Sequence, residues 1–579
     1  MVNLLRILVF LRPYKKHMLW LLFTTAVVTL INLFPPLVTK ELIDTVFTQG
    51  RTEDFFFLSV LMIVVPMGVI IFGHLQRITM AYLGQHFIFD IRNSLYRHIL
   101  GLSLRFYSQN SAGKIVYRLM GDSDVIQQLI TGQAPCILAD SVTASFAIFV
   151  TFSISWRLAL LLLGILLVFV LNFRLTRKKI IFFSRSSRQA YDRLSGGVQN
   201  RLVANIAVKT FGAEARENAT FHEQSAAALT FEKRQGISEN NFWMNVNLIQ
   251  SVGWSLIYFI GTASVLKGDM TYGEVTAFTA YTMAMLWPAV RFSQIVNQLQ
   301  QVAISTDRLL EIFDAQPEIR DSADASPLPS PIRGEVELDN VQFHYEAGIP
   351  IIKGISIHCN PGDTIAFIGA TGCGKTTILN LLMRFYDVIG GEIRLDGKDI
   401  RKIPLKQLRS QFGIVLQESL LFSVSIRENI RYARPDATME EIIAAAKAAE
   451  IHDFIEKLPD GYETIVGDQG IELSVGQKQR INIARAICAN PTILVMDEAT
   501  SSLDSDSELA IQSALARVLK GRTSFIVAHR LSTIRNATQI ILLDHGEIVE
   551  QGNHEQLMAI PNGRYHELYT KHMGKGVID

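Results

Sequence analysis

Six apolar runs, each near the roughly 20 residues a helix needs to cross a bilayer, set the strongest limit on what this chain can fold into. They cover residues 18–38, 55–74, 135–154, 158–173, 242–266 and 272–290. In hydrocarbon each backbone N–H and C=O must find its partner within the segment, so the runs read as helices. The fourth run is short, with apolar residues continuing patchily through 180–183. The connections alternate in kind. Residues 50–54, 153–157 and 267–271 are tight turns, whereas 77–131 and 174–241 are long and polar. The first run lacks a small-residue cleavage site after it and reads as an anchored helix rather than a signal peptide.

Basic residues orient the chain. The long connections carry Arg92, Arg97, Arg105, Lys114 and Arg118, then Arg174, Arg177, Lys178, Lys179, Arg185 and Arg188, against only Arg51, Arg157 and Lys267 in the tight turns. The positive-inside bias puts the long connections and both termini in the cytoplasm, as expected for a multi-pass protein of the inner (cytoplasmic) membrane. Residues 2–16, with Arg6, Arg12, Lys15 and Lys16 among apolar partners, read as an amphipathic helix on the cytoplasmic face. A mean hydropathy of +0.23 alongside 19% charged residues indicates a membrane half joined to a water-soluble half. The net charge of +1 offers no reason to invoke nucleic acid. The four cysteines lack metal-ligand spacing.

Polar residues inside spans are costly and usually face the protein interior or a water-filled path. Asn32, Asp140, Asn245, Asn247, Gln250, Glu274 and Arg291 are of this kind, with Trp254, Tyr281 and Trp287 as aromatic neighbours. Taken singly, most are expected to hydrogen-bond a neighbouring helix. As a group they allow an amphipathic cavity, for which Asn245, Gln250, Trp254, Tyr281 and Trp287 are the candidate lining.

Residues 1–320 thus form a transmembrane domain, and the Pro/Ser-rich stretch 321–333 reads as a linker. From 334 to 579 strands and helices alternate, as in an α/β nucleotide-binding domain. Residues 364–368 are a short strand, 377–385 continue as a helix, and between them Gly369-Ala370-Thr371-Gly372-Cys373-Gly374-Lys375-Thr376 fits GxxxxGK[ST]. The glycines let backbone N–H groups turn inward around phosphate, with Thr371, Cys373 and Thr377 part of the same cradle. Lys375 reaches the β- and γ-phosphates of ATP, and Thr376 supplies a hydroxyl to Mg²⁺. A second apolar strand, 493–496, delivers Asp497 to hold the same ion and Glu498 to polarise the attacking water.

Between these motifs lies Leu473-Ser474-Val475-Gly476-Gln477, followed by Lys478-Gln479-Arg480. It resembles the signature of the ATP-binding-cassette (ABC) family. Other matches follow in the family's order, and their roles are what the resemblance implies. Tyr345 resembles the aromatic that stacks on adenine, and Gln417 the Q-loop glutamine that senses Mg²⁺. Residues 464–470 resemble an exporter-type X-loop, Ser502-Leu503-Asp504 the D-loop, and His529 the switch histidine near the γ-phosphate. Residues 104–113 and 210–217 resemble the intracellular coupling segments that dock on cassettes. The chain resembles a half-size bacterial ABC exporter of the multidrug and lipid-exporter group, with a type IV fold.

That resemblance implies a dimer, in which the signature (Leu473, Ser474, Gly476, Gln477) touches ATP held by a second cassette. A second copy is the leading partner and a homologous half-transporter the alternative. The implied activity is ATP-driven export or flipping of a hydrophobic or amphipathic compound, drug or lipid, by alternating access. Peptide, glycan or siderophore transport, or an ATP-gated channel, are the competing functions. Val475 replaces the first glycine of LSGGQ, a change of small cost in extended backbone and a larger one where φ is positive.

Overall fold

The computed structural model describes residues 2–416, 420–467, 470–497, 505–528 and 534–575. The chain divides into two compact units, Met1–Leu100 with Asn110–Ala315, and Gly101–Gln109 with Gln316–Asp579.

The first unit is helical throughout its regular structure. Lys15–Asn32 and Pro35–Glu41 make the first apolar helix, the prolines falling at the start of its second piece, where a missing N–H breaks no helical bond. Phe55–Leu100, Ala134–Ile154, Trp156–Val203, Glu214–Leu266 and Tyr272–Asp314 follow. Five stretches among the described residues are long and apolar enough to cross a membrane, Arg6–Thr48, Thr52–Leu100, Ala112–Ile154, Trp156–Val203 and Glu214–Leu266. The sixth expected span begins the 43-residue Tyr272–Asp314 helix, part of whose side chains lie outside the described residues. Glu214–Leu266 has 53 residues, hence about 80 Å at 1.5 Å each, against a hydrocarbon layer of roughly 30 Å. The same helices therefore continue beyond the apolar layer as long arms, interrupted at 101–103 and 211–213.

Ionic contacts bind three of these arms. Asp122, almost fully buried, accepts a hydrogen bond from Ser305 Oγ at 2.7 Å and lies 3.7 Å from Arg308. Arg118 pairs with Glu311 at 2.8 Å, and Arg92 with Asp124 at 3.0 Å. At the opposite end, the Asp44 carboxylate accepts from Thr271 Oγ at 2.7 Å and from the Gly273 N–H at 2.9 Å. Thr271 also closes a capping box with Glu274, so the start of the last helix is doubly anchored.

The N-terminal segment differs from the expected surface helix. His17 stacks on Tyr82 at 4.7 Å, the Tyr14 hydroxyl donates to Asp90, and Phe10 meets Phe313, itself 6.0 Å from His98. Tyr82 and His98 lie on one helix about 24 Å apart. The segment thus runs down the arms, where Arg6 pairs with Asp314 and Asn3 with Asp307. Ile7 and Leu11 are buried against protein, while Val9 stays exposed.

The second unit holds two sheets. An antiparallel one orders β2 (Ile352–Cys359), β1 (Val336–Phe343), β4 (Gly390–Leu395) and β5 (Lys398–Asp399). The other orders β10 (Glu547–Gly552), β9 (Gln539–Asp544), β3 (Thr364–Ile368), β8 (Thr523–Val527), β7 (Ile493–Asp497) and β6 (Phe412–Val415), all parallel except β10. β3 is buried on both faces. Ile365 and Phe367 enter a core with β1, β2 and the helix after β3, while Ala366 and Ile368 enter a second core with Ile481, Ile483 and Ala484. The expected linker is docked, not free. Leu328 is buried with its N–H on Gln407, and Asp321 accepts from the Leu405 N–H.

The β4–β5 hairpin turns on Asp396-Gly397, both at positive φ as a tight two-residue turn demands. The Asp396 carboxylate then gathers the N–H groups of Arg333, Gly334 and Glu335 at 2.7–2.9 Å, fixing the entry to β1. Asp396→Ala removes three charge-assisted bonds and should destabilise this unit by about 2–3 kcal/mol. Thermal unfolding of the full chain measures it, and an unchanged midpoint would refute the anchor.

Candidate functional site

The phosphate loop springs from the C-terminal end of β3 and opens the Lys375–Leu382 helix. Open parallel sheets bind ligands at this edge. Three glycines allow the turn. Gly369, Gly372 and Gly374 all have positive φ, and a Cβ on Gly369 would lie 2.2 Å from the Leu543 carbonyl oxygen. Lys375 is buried, with its amine donating to the carbonyls of Gly369 (2.8 Å) and Ala370 (2.9 Å). It is held inside the loop rather than swinging free. Cys373 is buried in the core under the loop, its sulfur 3.9 Å from the same amine, so its side chain serves packing. Thr371 and Gly372 are exposed at the rim.

β8 lies between β3 and β7, and the pairing puts Phe367, Val527 and Asp497 level across the three strands. Asp497 then meets the first turn of the helix. Its Oδ2 accepts from Thr376 Oγ at 3.2 Å. Two oxygen ligands side by side at a phosphate loop suit Mg²⁺, which takes few protein ligands and completes its shell with water and substrate phosphate. Among the described residues no cluster of three or more His, Cys, Asp or Glu could hold a metal by itself.

Tyr345 stands beside the loop. Its hydroxyl donates to Thr377 at 3.3 Å, and its ring meets Phe343 and Tyr386 edge-on at 4.9 and 5.1 Å. Burial raises the Tyr386 phenol above its ordinary range, with Tyr345 adding to the effect. Arg105, from the short Leu104–Gln109 helix, donates to the Tyr345 carbonyl at 2.9 Å and pairs with Glu318 at 3.2 Å. In sequence Arg105 counts only as one cation among many, because nothing local ties it to a residue 240 positions away.

The signature opens a helix. Ser474 caps Val475–Cys488, its hydroxyl accepting from the Gln477 N–H while Gln477 Oε1 accepts from the Ser474 N–H. Leu473 and Gly476 are buried, and Ser474 is exposed. A capped helix start presents N–H groups and a favourable dipole to phosphate. Val475 is the first helical residue and 55% exposed. Its backbone is neither extended nor at positive φ, so valine meets no conformational penalty there. Farther along, Arg485 ties the helix to the buried Asn429 by two hydrogen bonds, 2.9 Å to the carbonyl and 2.7 Å to Oδ1. That anchor carries no motif in the sequence.

Gln417, Glu498, Ser502, Leu503, Asp504 and His529 lie outside the described residues, as does the Trp287 side chain. The other cavity candidates each have a partner of their own. Tyr281 is fully buried, donating to the Leu33 carbonyl at 2.6 Å, which removes it from an open lining. Asn245 donates to Asn172 at 3.1 Å, Gln250 reaches the Met283 sulfur at 3.0 Å, and exposed Trp254 stacks on Tyr258. For Tyr281 the tyrosine hydroxyl found a backbone acceptor, a partner invisible in sequence.

Residues 18–289 match the family model described as the ABC transporter transmembrane region, and residues 352–501 that described as ABC transporter. The ATP-dependent lipid A-core flippase of Syntrophus aciditrophicus (strain SB) is 36% identical over 92% of this chain and 88% of its own length. The putative multidrug export ATP-binding/permease protein YgaD of Bacillus subtilis (strain 168) is 35% identical over 98% of both chains. A bacterial Atm1-family ABC exporter solved with ATP bound superposes with a TM-score of 0.77 at 28% identity, covering 98% of this chain and 99% of its own.

Because Val475 already occupies helical backbone, Val475→Gly relieves no strain and costs under about 1 kcal/mol of helix propensity. ATPase activity should stay within about threefold of the parent. A tenfold rise would show that the valine does impair the site.

Proposed function

The chain belongs to the ABC transporter family as a half-size exporter that couples ATP hydrolysis to transport, and on that premise we propose that it works as a homodimer with two shared ATP sites. In this reading ATP sits between Gly369–Thr376 of one chain and the Ser474 helix start of the other. The observation that carries it is the exposed, capped helix beginning at Ser474, built to receive phosphate. The helical backbone at Val475 removes the strain that would have argued for two unequal sites.

Lys375 and the loop N–H groups bind the phosphates, and the Tyr345 ring packs on the adenine. Thr376 and Asp497 would hold Mg²⁺, with Gln417 contributing to the same ion. The ion, when bound, neutralises charge on the β- and γ-phosphates. Glu498 orients and polarises the attacking water, and His529 contacts the γ-phosphate. Closing two cassettes on ATP draws the coupling segments together. Only a higher affinity of ATP for the closed form can drive that shift.

A dimer is also supported by the second coupling segment. Phe211 in it is 81% exposed, an apolar side chain suited to a partner surface. The basic residues of the long connections support an orientation with cassettes and termini in the cytoplasm. The cargo is a hydrophobic or amphipathic compound, as the lipid and multidrug activities named for its relatives suggest.

Glu498→Gln should lower steady ATP hydrolysis by on the order of 100-fold or more while ATP binding persists. Turnover above a tenth of the parent would remove Glu498 from its role. Transport of a lipid and drug panel into vesicles, dependent on Lys375, tests export itself. Hydrolysis without any vectorial movement would refute it.

A further inference from the structure

An open groove of about 670 Å³ lies between the Trp156–Val203 and Glu214–Leu266 helices. Three cations line it, Lys178, Lys179 and Arg234, beside apolar Leu175 and Phe182. Residues 158–191 contain no acid at all. Among the described residues none of the three cations has a carboxylate within ion-pairing distance.

The groove's depth follows from the helices. Trp156, with the Arg157 guanidinium over its ring, is an interfacial anchor at the outer end. Counting about 20 residues inward from Leu158 puts the hydrocarbon edge near Arg177. Lys178 and Lys179 then fall just past it. The Asn245–Asn172 hydrogen bond sets the register of the antiparallel pair, so Arg234 lies level with about residue 183, some 9 Å past the edge. All three cations therefore sit at headgroup depth. Two donors close by lack acceptors, Asn172 Nδ2 and Arg177 Nε, both buried and without a hydrogen-bond partner. The site offers donors and positive charge, next to apolar surface, at the level of lipid phosphate.

We propose that this groove binds the phosphate-bearing headgroup of an anionic glycerophospholipid from the surrounding bilayer, with Lys178, Lys179 and Arg234 on the phosphate and Leu175 against the acyl chains. The site is remote from the phosphate loop in sequence. It rests on the orientation proposed above only for which leaflet supplies the lipid.

Native mass spectrometry of the full-length protein in phosphatidylcholine nanodiscs, titrated with phosphatidylglycerol, tests it. The nanodisc offers lipid to both leaflets, so a wrong topology does not affect the result. Each removed charge should weaken binding about fivefold, so Lys178→Gln/Lys179→Gln/Arg234→Gln should lose on the order of 100-fold in phosphatidylglycerol affinity. Phosphatidylcholine binding and basal ATPase activity should be unchanged, and the charge-conserving Lys178→Arg/Lys179→Arg variant should bind as the parent does. Equal affinity of the triple variant and the parent overturns the proposal. So does displacement of the lipid by glycerol phosphate alone, which would mark a free-anion site. Should the triple variant fail to fold, the parent still decides the matter. Its phosphatidylglycerol affinity must fall with added salt, and a salt-independent affinity overturns the charge-based site.

Discussion

Thr376 and Asp497 meet at 3.2 Å although 121 residues separate them, and the chemistry assigned to this chain depends on that meeting. It is a consequence of parallel pairing. β8 sits between β3 and β7, and the level alignment of Phe367, Val527 and Asp497 puts the phosphate loop and the acidic strand end on one edge. A slip of one residue between these strands would turn Asp497 to the other face. Burial on both faces of β3 resists such a slip, since Ile365 and Phe367 serve one core and Ala366 and Ile368 another.

The same edge is linked to the short Leu104–Gln109 helix. Arg105 bonds the backbone of Tyr345, and the Tyr345 hydroxyl reaches Thr377 in the helix that follows the phosphate loop. Gly101–Gln109 clusters with the cassette, although the chain on either side of it belongs to the helical unit. A short path of hydrogen bonds thus runs from a loop between apolar helices to the nucleotide site.

Much of this was legible in the sequence because the constraints are local. A bilayer forces apolar runs of a set length, and a phosphate loop forces glycines where φ is positive, so spans and loop announce themselves. The capping box at Ser474 and Gln477 was equally open to reading, since S-x-x-Q is a helix start, and it settles the conformation that Val475 left open. What escaped were long-range pairings. The burial of Tyr281 on the Leu33 carbonyl, the Arg485–Asn429 anchor and the descent of residues 3–17 along the arms each depend on a partner far away in sequence. Amphipathic periodicity says that residues 2–16 have an apolar face. It does not say whether lipid or protein covers it.

The central claim is that each ATP site is shared by two chains, and a mixed dimer tests it most directly. In a Glu498→Gln background, one dimer would pair a Lys375→Ala chain with a Ser474→Arg chain, and another would pair an unaltered chain with one carrying both changes. If the signature acts across the interface, the first dimer has both lesions in one site and retains one tightly held ATP, whereas the second has lost both. Retention by the second dimer and loss by the first would show that the signature serves its own chain, and the shared site would be wrong.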